Sequence, residues 1–168
     1  MESTDWLPEL CRLCDYDGDW TKYKEALYGY YTQDFIYSRP IYKGVALKVK
    51  REPINDGKHA TFWHIIQSGD IECKRTPDMN RCERIRWPKP IIDECDKHKM
   101  LIWENERHDK GEKKNICIFY TEADYLIILR KRDDGLYLWS AYPIDYGHRR
   151  RKLIKEYSEW IKKTRDAV

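Results

Sequence analysis

The chain has 168 residues, a net charge of +3 at pH 7 and 36% charged residues, a length that predicts one domain with a core of its own. Seven tryptophans and thirteen tyrosines exclude a chain that is disordered throughout. The sequence has no apolar run long enough to cross a membrane, and its first twenty residues carry acids where a leader peptide carries bases. We therefore expect a cytoplasmic protein with no membrane partner.

The first part of the chain predicts a helix followed by two strands. Residues 8–36 predict the helix, because aromatic and aliphatic residues recur there at spacings of three and four. At residue 41 the apolar period changes to two, and the predicted strand ends in the turn Asn55-Asp56-Gly57. Residues 60–66 then predict the returning strand.

The middle of the chain predicts a loop and a short helix. Residues 67–87 are polar and have little periodicity, which predicts a long surface loop with one short helical turn. Long ordered loops often carry function. Pro88 and Pro90 suit the first turn of a helix, which we expect to run through residue 97.

Four strands and a last helix follow, and they predict the fold class. The strands are expected at 100–106, 115–120, 125–131 and 136–144, and short connections make such neighbours antiparallel. The third is almost wholly apolar, which indicates a central position. A basic helix at 148–165 completes an α+β fold, with N-terminal helices and this C-terminal helix packed on a four- to five-stranded antiparallel sheet.

Charge and cysteine patterns narrow the function. Residues 1–40 hold eight acids and four bases, whereas residues 146–168 hold eight bases and three acids, which favours a polyanion as partner. Cys11 and Cys14 form a Cys-x-x-Cys pair, but the other four cysteines are scattered singly, so we predict neither a metal nor another cofactor. The sequence contains no phosphate loop, serine-hydrolase elbow or zinc-protease motif.

The densest group of candidate binding residues lies between residues 61 and 87. Arg81, Arg84 and Arg86 offer forked N–H donors that match phosphate oxygens. Trp63 and Trp87 could stack on bases. The same arginines could instead form surface ion pairs with neighbouring acids, and the sequence leaves both interpretations open.

His64 is the first candidate for proton transfer, because an imidazole in a strand that lines a cleft suits a general acid or base. A half-buried structural histidine is the alternative. His148, beside three arginines, is the second candidate. Ser140 and Tyr142 lie two residues apart on a predicted strand and so share a face, where their hydroxyls could orient a phosphate or simply bond across the sheet.

Several blocks of the sequence are similar to a known family. The chain resembles, from about Asp19 to Trp160, phage-associated members of the nuclease superfamily that unites barnase, EndoU, the tRNA-cleaving colicins and RelE toxins. The blocks that carry the resemblance are DGKHATFWHIIQSG, RTPDMNRCERIRWPKPII, WENER and DYLIILRKRDDGLYLWSAYPIDYGHRRRKLIKEYSEW.

The resemblance implies a helical segment at 1–40 and a barnase/RelE-like nuclease domain at 41–168, within one compact unit. It implies metal-independent RNA cleavage, in which the ribose 2′-hydroxyl attacks the adjacent phosphate. The expected substrate is tRNA, mRNA or ribosome-bound RNA. An antitoxin or immunity protein is the partner expected of such a toxin.

Together, the residues and the resemblance predict the site. The catalytic residues are expected to be His64 for proton transfer, Arg84 and Arg86 as a phosphate clamp, and Tyr142 as an orienting hydroxyl. The residues expected to bind substrate are Arg81, Glu83, Trp87, Lys131, Ser140 and His148.

Two other functions remain open at this point. The chain could be a non-catalytic phage or prophage module that uses the same basic, aromatic face to hold nucleic acid or a protein. It could also be a small scaffold or inhibitor that binds protein only. The nucleic-acid module predicts RNA binding that weakens with salt, without cleavage. The protein-binding scaffold predicts no affinity for RNA.

Overall fold

The computed structural model describes residues 3–107 and 113–167, and its fold is α+β. The α-helices are α1 (Trp20–Thr32), α2 (Ala60–Ile66), α3 (Met79–Glu83), α4 (Pro88–Asp93) and α5 (Gly147–Asp166). A π-helical turn, Gln33–Tyr37, extends α1, and 3-10 turns lie at Leu13–Tyr16 and Glu72–Lys74. The strands are β1 (Ile41–Tyr42), β2 (Val45–Ala46), β3 (Gln67–Ser68), β4 (Thr76–Pro77), β5 (Leu101–Arg107), β6 (Lys113–Tyr120), β7 (Tyr125–Arg132) and β8 (Gly135–Pro143).

The four C-terminal strands form one antiparallel sheet in the order β5-β6-β7-β8, which confirms the four predicted strands. Four residues connect β6 to β7 and two connect β7 to β8, too few for any crossover. The apolar β7 lies between two neighbours, as its composition predicts. β1 pairs with β2 and β3 pairs with β4 in two small separate sheets.

Each face of the main sheet carries its own apolar cluster. On the first face, Ile118 of β6 and Ile127 of β7 belong to the same cluster as Tyr23, Leu27 and Tyr31 of α1. On the second face, Leu126 and Ile128 of β7 cluster with Leu153 of α5. The N-terminal helix therefore shares its core with the sheet.

The helix predicted at 8–36 begins later than expected. Asp17 and Gly18 have positive φ angles of 58° and 67°, which a helix cannot continue through. Asp19 then caps α1, because its side chain accepts a hydrogen bond from the backbone N–H of Lys22. The predicted short helix begins at Pro88 as expected and ends at Asp93, earlier than residue 97.

The strand predicted at 60–66 is wrong, because these residues form α2. The turn before it is confirmed: Asn55 and Lys58 exchange two backbone hydrogen bonds around Asp56 and Gly57. The chain then buries Phe62, Ile65 and Ile66, which lie three and four residues apart on one helical face. A short apolar run fits both the two-residue period of a strand and the 3.6-residue period of a helix, so the sequence pattern could not distinguish them.

A bulge in β8 sets the direction of its polar side chains. Leu138 pairs with Leu129 and Ser140 pairs with Ile128, so Trp139 is an extra residue between the two pairs. Leu138 therefore faces the first cluster, whereas Ser140 and Tyr142 face the second side of the sheet with Ile128. This confirms that Ser140 and Tyr142 share a face.

Candidate active site

A cleft of about 380 Å³ opens on the second face of the sheet, where β8 meets α2, α3 and the first turn of α5. We call it the central cleft. Four of the predicted site residues line it, and they come from three elements: His64 of α2, Arg81 of α3, and Ser140 and Tyr142 of β8. Three further arginines line it as well, namely Arg75, Arg130 and Arg149.

The predicted phosphate clamp does not lie in this cleft. The Arg84 guanidinium stacks on Trp87 at 5.0 Å and donates to the backbone oxygen of Asn80. The Arg86 guanidinium lies 4.7 Å from the ring centre of Tyr30 in α1. Because α3 ends at Glu83, Arg84 and Arg86 do not continue the helical face that carries Arg81, and Arg86 contacts α1 instead.

Other predicted binding residues also have different surroundings. The indole N–H of Trp87 donates to the backbone oxygen of Pro8, which ties this ring to the N-terminal segment. The Glu83 carboxylate lies 3.9 Å from Arg84. The Lys131 ammonium donates to Glu104 at 2.6 Å, on the sheet face opposite Arg130, because successive strand residues alternate in direction.

His148 is exposed in the first turn of α5. Its ring stacks on Tyr146 with 5.6 Å between the ring centres. The pair lies next to Arg149, which lines the central cleft. His148 is therefore a neighbour of the cleft and not one of its lining residues.

The His64 imidazole is held in its neutral form. Burial, followed by the charges of Arg75, Arg81 and Arg130 and that of Lys50, lowers the pKa of His64 to about 4. At neutral pH the ring can therefore accept a proton. Its ring centre lies 5.9 Å from that of Trp139, which fixes the imidazole beside the β8 bulge.

Two arginines of the cleft have buried N–H groups without acceptors. Arg75 donates to the backbone oxygens of His64, Gln67 and Gly69, but its Nε group has no partner among the described residues. The Nη1 group of Arg81 is likewise buried without an acceptor in the described part of the chain. Burial lowers the pKa of the Arg81 guanidinium, yet arginine stays charged at neutral pH.

The remaining cationic groups are oriented by contacts along the sheet. The Arg81 guanidinium lies 4.6 Å from the ring centre of Tyr142, whose hydroxyl accepts a hydrogen bond from Arg149 at 3.3 Å. Arg130 donates to the side-chain oxygen of the buried Asn115. Its guanidinium also lies 3.6 Å from the ring centre of Trp139. These donors are therefore positioned before any ligand arrives.

Sequence reasoning missed Arg75, Arg130, Asn115 and Arg149 as site residues. Arg130 continues the alternation of Leu126 and Ile128, so the correct pairing of β7 would have placed it on the second face. Arg149 carried another signal, since a cation in the first turn of a helix opposes the helix dipole and so points to a role other than stability.

The described residues contain no group of three or more His, Cys, Asp or Glu side chains that could hold a metal ion. Cys11 is buried, Cys14 is exposed, and both are free thiols. Within residues 3–107 and 113–167, no helix is long and apolar enough to cross a membrane.

Comparison with known proteins gives no relative from which a function could be carried over. No family model, curated protein or solved structure matches the chain. The chemistry of the central cleft is therefore what points to a function.

Proposed function

We propose that the chain is a metal-independent endoribonuclease, toxin-like, that cleaves RNA by attack of the 2′-hydroxyl on the adjacent phosphate. The observation that carries this proposal is the meeting of four arginines, a neutral imidazole and a tyrosine hydroxyl in one cleft. The arginines match the charge of a phosphodiester and of the more highly charged phosphorane that follows it. The imidazole matches the proton that the 2′-hydroxyl must lose.

In the proposed reaction, His64 takes the proton of the 2′-hydroxyl as the 2′-oxygen forms a bond to phosphorus. The bond from phosphorus to the 5′-oxygen breaks, and that oxygen takes a proton from Tyr142. Arg81 and Arg149, which contact Tyr142, stabilise the phenolate that this leaves. Transfer of the His64 proton to Tyr142 through solvent restores both groups. The products are a 2′,3′-cyclic phosphate and a free 5′-hydroxyl.

Binding of the phosphodiester would itself assist His64. The pKa of His64 is low in the free protein partly because three arginines surround it. A phosphodiester anion offsets those charges and makes the imidazolium easier to form. The proton transfer is therefore favoured only when substrate occupies the cleft.

The barnase/RelE-like assignment belongs to this proposal. Helices that precede a four-stranded antiparallel meander, with the candidate site on one face of that meander, support it. RNA is the proposed partner, and an antitoxin or immunity protein would be expected if the chain acts as a free toxin.

The test is incubation of the purified protein with RNA in the presence of EDTA, followed by analysis of the new ends. We expect 2′,3′-cyclic phosphate ends, and losses of roughly 100-fold or more in rate for His64→Gln and for Arg81→Gln. Arg84→Gln is the matched control, because this arginine lies outside the cleft, and should keep the wild-type rate. RNA that stays intact with the wild-type protein contradicts the proposal.

A second function is a non-catalytic module that holds nucleic acid in the same cleft. It is favoured by the number of phosphate donors in the cleft and by the low pKa of His64, which makes the imidazole a weak base. This module would bind RNA without cutting it, and binding would weaken steeply as salt increases. His64→Gln would then leave binding unchanged, whereas Arg81→Gln would weaken it.

A further inference from the structure

Two more cavities adjoin the central cleft and share its walls. The first, of about 390 Å³, shares His64, Arg75 and Trp139 with the cleft. The second, of about 320 Å³, shares Arg81, Tyr142 and Arg149 with it. The two cavities therefore lie at different walls of the arginine-lined central cleft, and we call the three together the groove.

The first cavity, which we call the Trp63 pocket, offers aromatic and aliphatic surfaces. Trp63 and Trp139 line it together with Pro53 and Leu138. The Trp63 ring is fixed, because its indole N–H donates to the backbone oxygen of Asn55 at 2.9 Å. The Trp139 ring is fixed by the Arg130 guanidinium. Rigid aromatic faces of this kind are what nucleobases stack on.

The second cavity, which we call the Tyr146 pocket, has an aromatic wall of a different kind. The Tyr146 side chain is 68% exposed although it is large and apolar, and it stacks on His148. Asp78 and Asp145 also line this pocket. Asp78 already caps α3 and lies 3.8 Å from the Arg81 guanidinium, whereas the Asp145 carboxylate can accept hydrogen bonds from the amino groups of a base. The exposed Tyr146 ring and Asp145 therefore suit a nucleobase.

We propose that the Trp63 pocket and the Tyr146 pocket are nucleobase subsites on the two sides of the scissile phosphate, an inference that rests on the proposed function. The smallest unit recognised is then a dinucleotide with its phosphate on the arginines and each base on an aromatic side chain. Bases in a double helix are paired and stacked on their neighbours, so they cannot enter two separate pockets without leaving the stack. The substrate class is therefore unpaired RNA.

The test measures binding of a fluorescent strand whose 2′-hydroxyls are replaced by hydrogen, so that it cannot be cleaved. We expect the single strand to bind at least about tenfold more tightly than the same strand in a duplex. Tyr146→Ala and Trp63→Ala should each weaken single-strand binding by about fivefold to 100-fold, the range typical for loss of one base-stacking contact. Tyr37→Ala is the matched control, because Tyr37 is 84% exposed at the end of the π-helical turn and should leave binding unchanged.

The outcomes separate this inference from the proposed function. If RNA is cleaved but the duplex binds as well as the single strand and both variants bind normally, the subsites are wrong and the nuclease stands. If RNA stays intact but both variants weaken binding, the subsites stand and the nuclease is wrong. Should Trp63→Ala fail to fold, Trp63→Phe keeps an aromatic ring and should bind nearly as the wild type does, while the exposed Tyr146 still gives a decisive result.

Discussion

His64 shows how one side chain can be controlled by residues far away in the sequence. Three of the four charges that lower its pKa after burial belong to Arg75, Arg81 and Arg130, which come from a loop, a helix and the central sheet. The folded protein therefore resists protonation of this imidazole, whereas the unfolded chain does not. Proton uptake at His64 is thus coupled to the stability of the fold.

This coupling predicts a pH dependence of stability. The pKa of His64 falls from its ordinary value of 6.5 to about 4 on folding, so the unfolded state binds the extra proton between these values. The free energy of unfolding should fall as pH decreases from 6.5 to 4, by at most about 3 kcal/mol from this residue. Urea unfolding at several pH values, compared between wild type and His64→Gln, measures the difference.

The variant should show a smaller loss of stability across this pH range. His148→Gln is the matched control, because that histidine is exposed and does not line the central cleft. Equal pH dependence in wild type and His64→Gln would contradict the assigned pKa.

Part of the candidate site could be predicted at the scale of residues. His64, Arg81, Ser140 and Tyr142 were chosen for their chemistry and do meet in the central cleft. Arg84 is predicted from the arginine cluster and from the resemblance, but α3 ends at Glu83 and the Arg84 guanidinium stacks on Trp87 outside the cleft. A continued helix would place Arg84 on the same face as Arg81, three residues earlier, and the sequence does not show that the helix ends between them.

At the scale of elements, the first residues of α5 do not stabilise the start of a helix. Its N-cap residue is Tyr146, which provides no side-chain hydrogen bond, and its first turn contains no acid. Arg149 and Arg150 lie there instead, although the start of a helix favours negative charge. Arg150 is partly compensated by an ion pair with Asp124 at 2.7 Å. The cost in stability is consistent with selection for an anion-binding groove and not for a stable helix.

The missing cap predicts that a substitution at Tyr146 can raise the free energy of unfolding while it weakens binding of a single strand. Tyr146→Asp introduces a capping side chain and a negative charge at the start of α5, and should raise the free energy of unfolding by about 1 kcal/mol. The same change should weaken binding of a single strand. Tyr146→Phe keeps the ring and should alter neither property. Denaturant unfolding and fluorescence anisotropy measure the two effects, and an unchanged unfolding midpoint in Tyr146→Asp would contradict the first.

The main sheet was predictable from sequence because β6, β7 and β8 are eight or nine residues long and are joined by connections of four and two residues. α2 was not, because seven residues with few polar positions fit either period. The bulge at Trp139 left no clear mark on the pattern of β8, yet it decides which side of the sheet Ser140 faces. Bulges follow from the pairing of two strands, so one strand read alone does not reveal them.

For the whole molecule, the arrangement of charge predicts how binding responds to salt. The arginines of the groove would displace counterions from the strand that they bind. If about three phosphates are neutralised, the logarithm of the binding constant should fall with the logarithm of salt concentration with a slope of about −2. Titrations of the uncleavable strand at four salt concentrations measure it.

Arg81→Gln should make this slope shallower by about 0.7, the value for one phosphate contact to a single strand. Arg86→Gln should not change it, because Arg86 packs on Tyr30. A slope near zero would mean that phosphates contribute little, which would leave the arginines without the role assigned to them.

The backbone hydrogen bonds between Lys48 and β8 limit how much of the N-terminal part of the chain can be removed. The backbone N–H of Lys48 donates to Leu136 and its oxygen accepts from Leu138, so this residue covers the outer edge of β8. A fragment that begins after residue 50 would lose this cover as well as α1, and would expose unsatisfied backbone groups along the edge of β8. Such edges recruit strands from other molecules, so we expect fragments of this kind to self-associate and precipitate instead of yielding a smaller working domain.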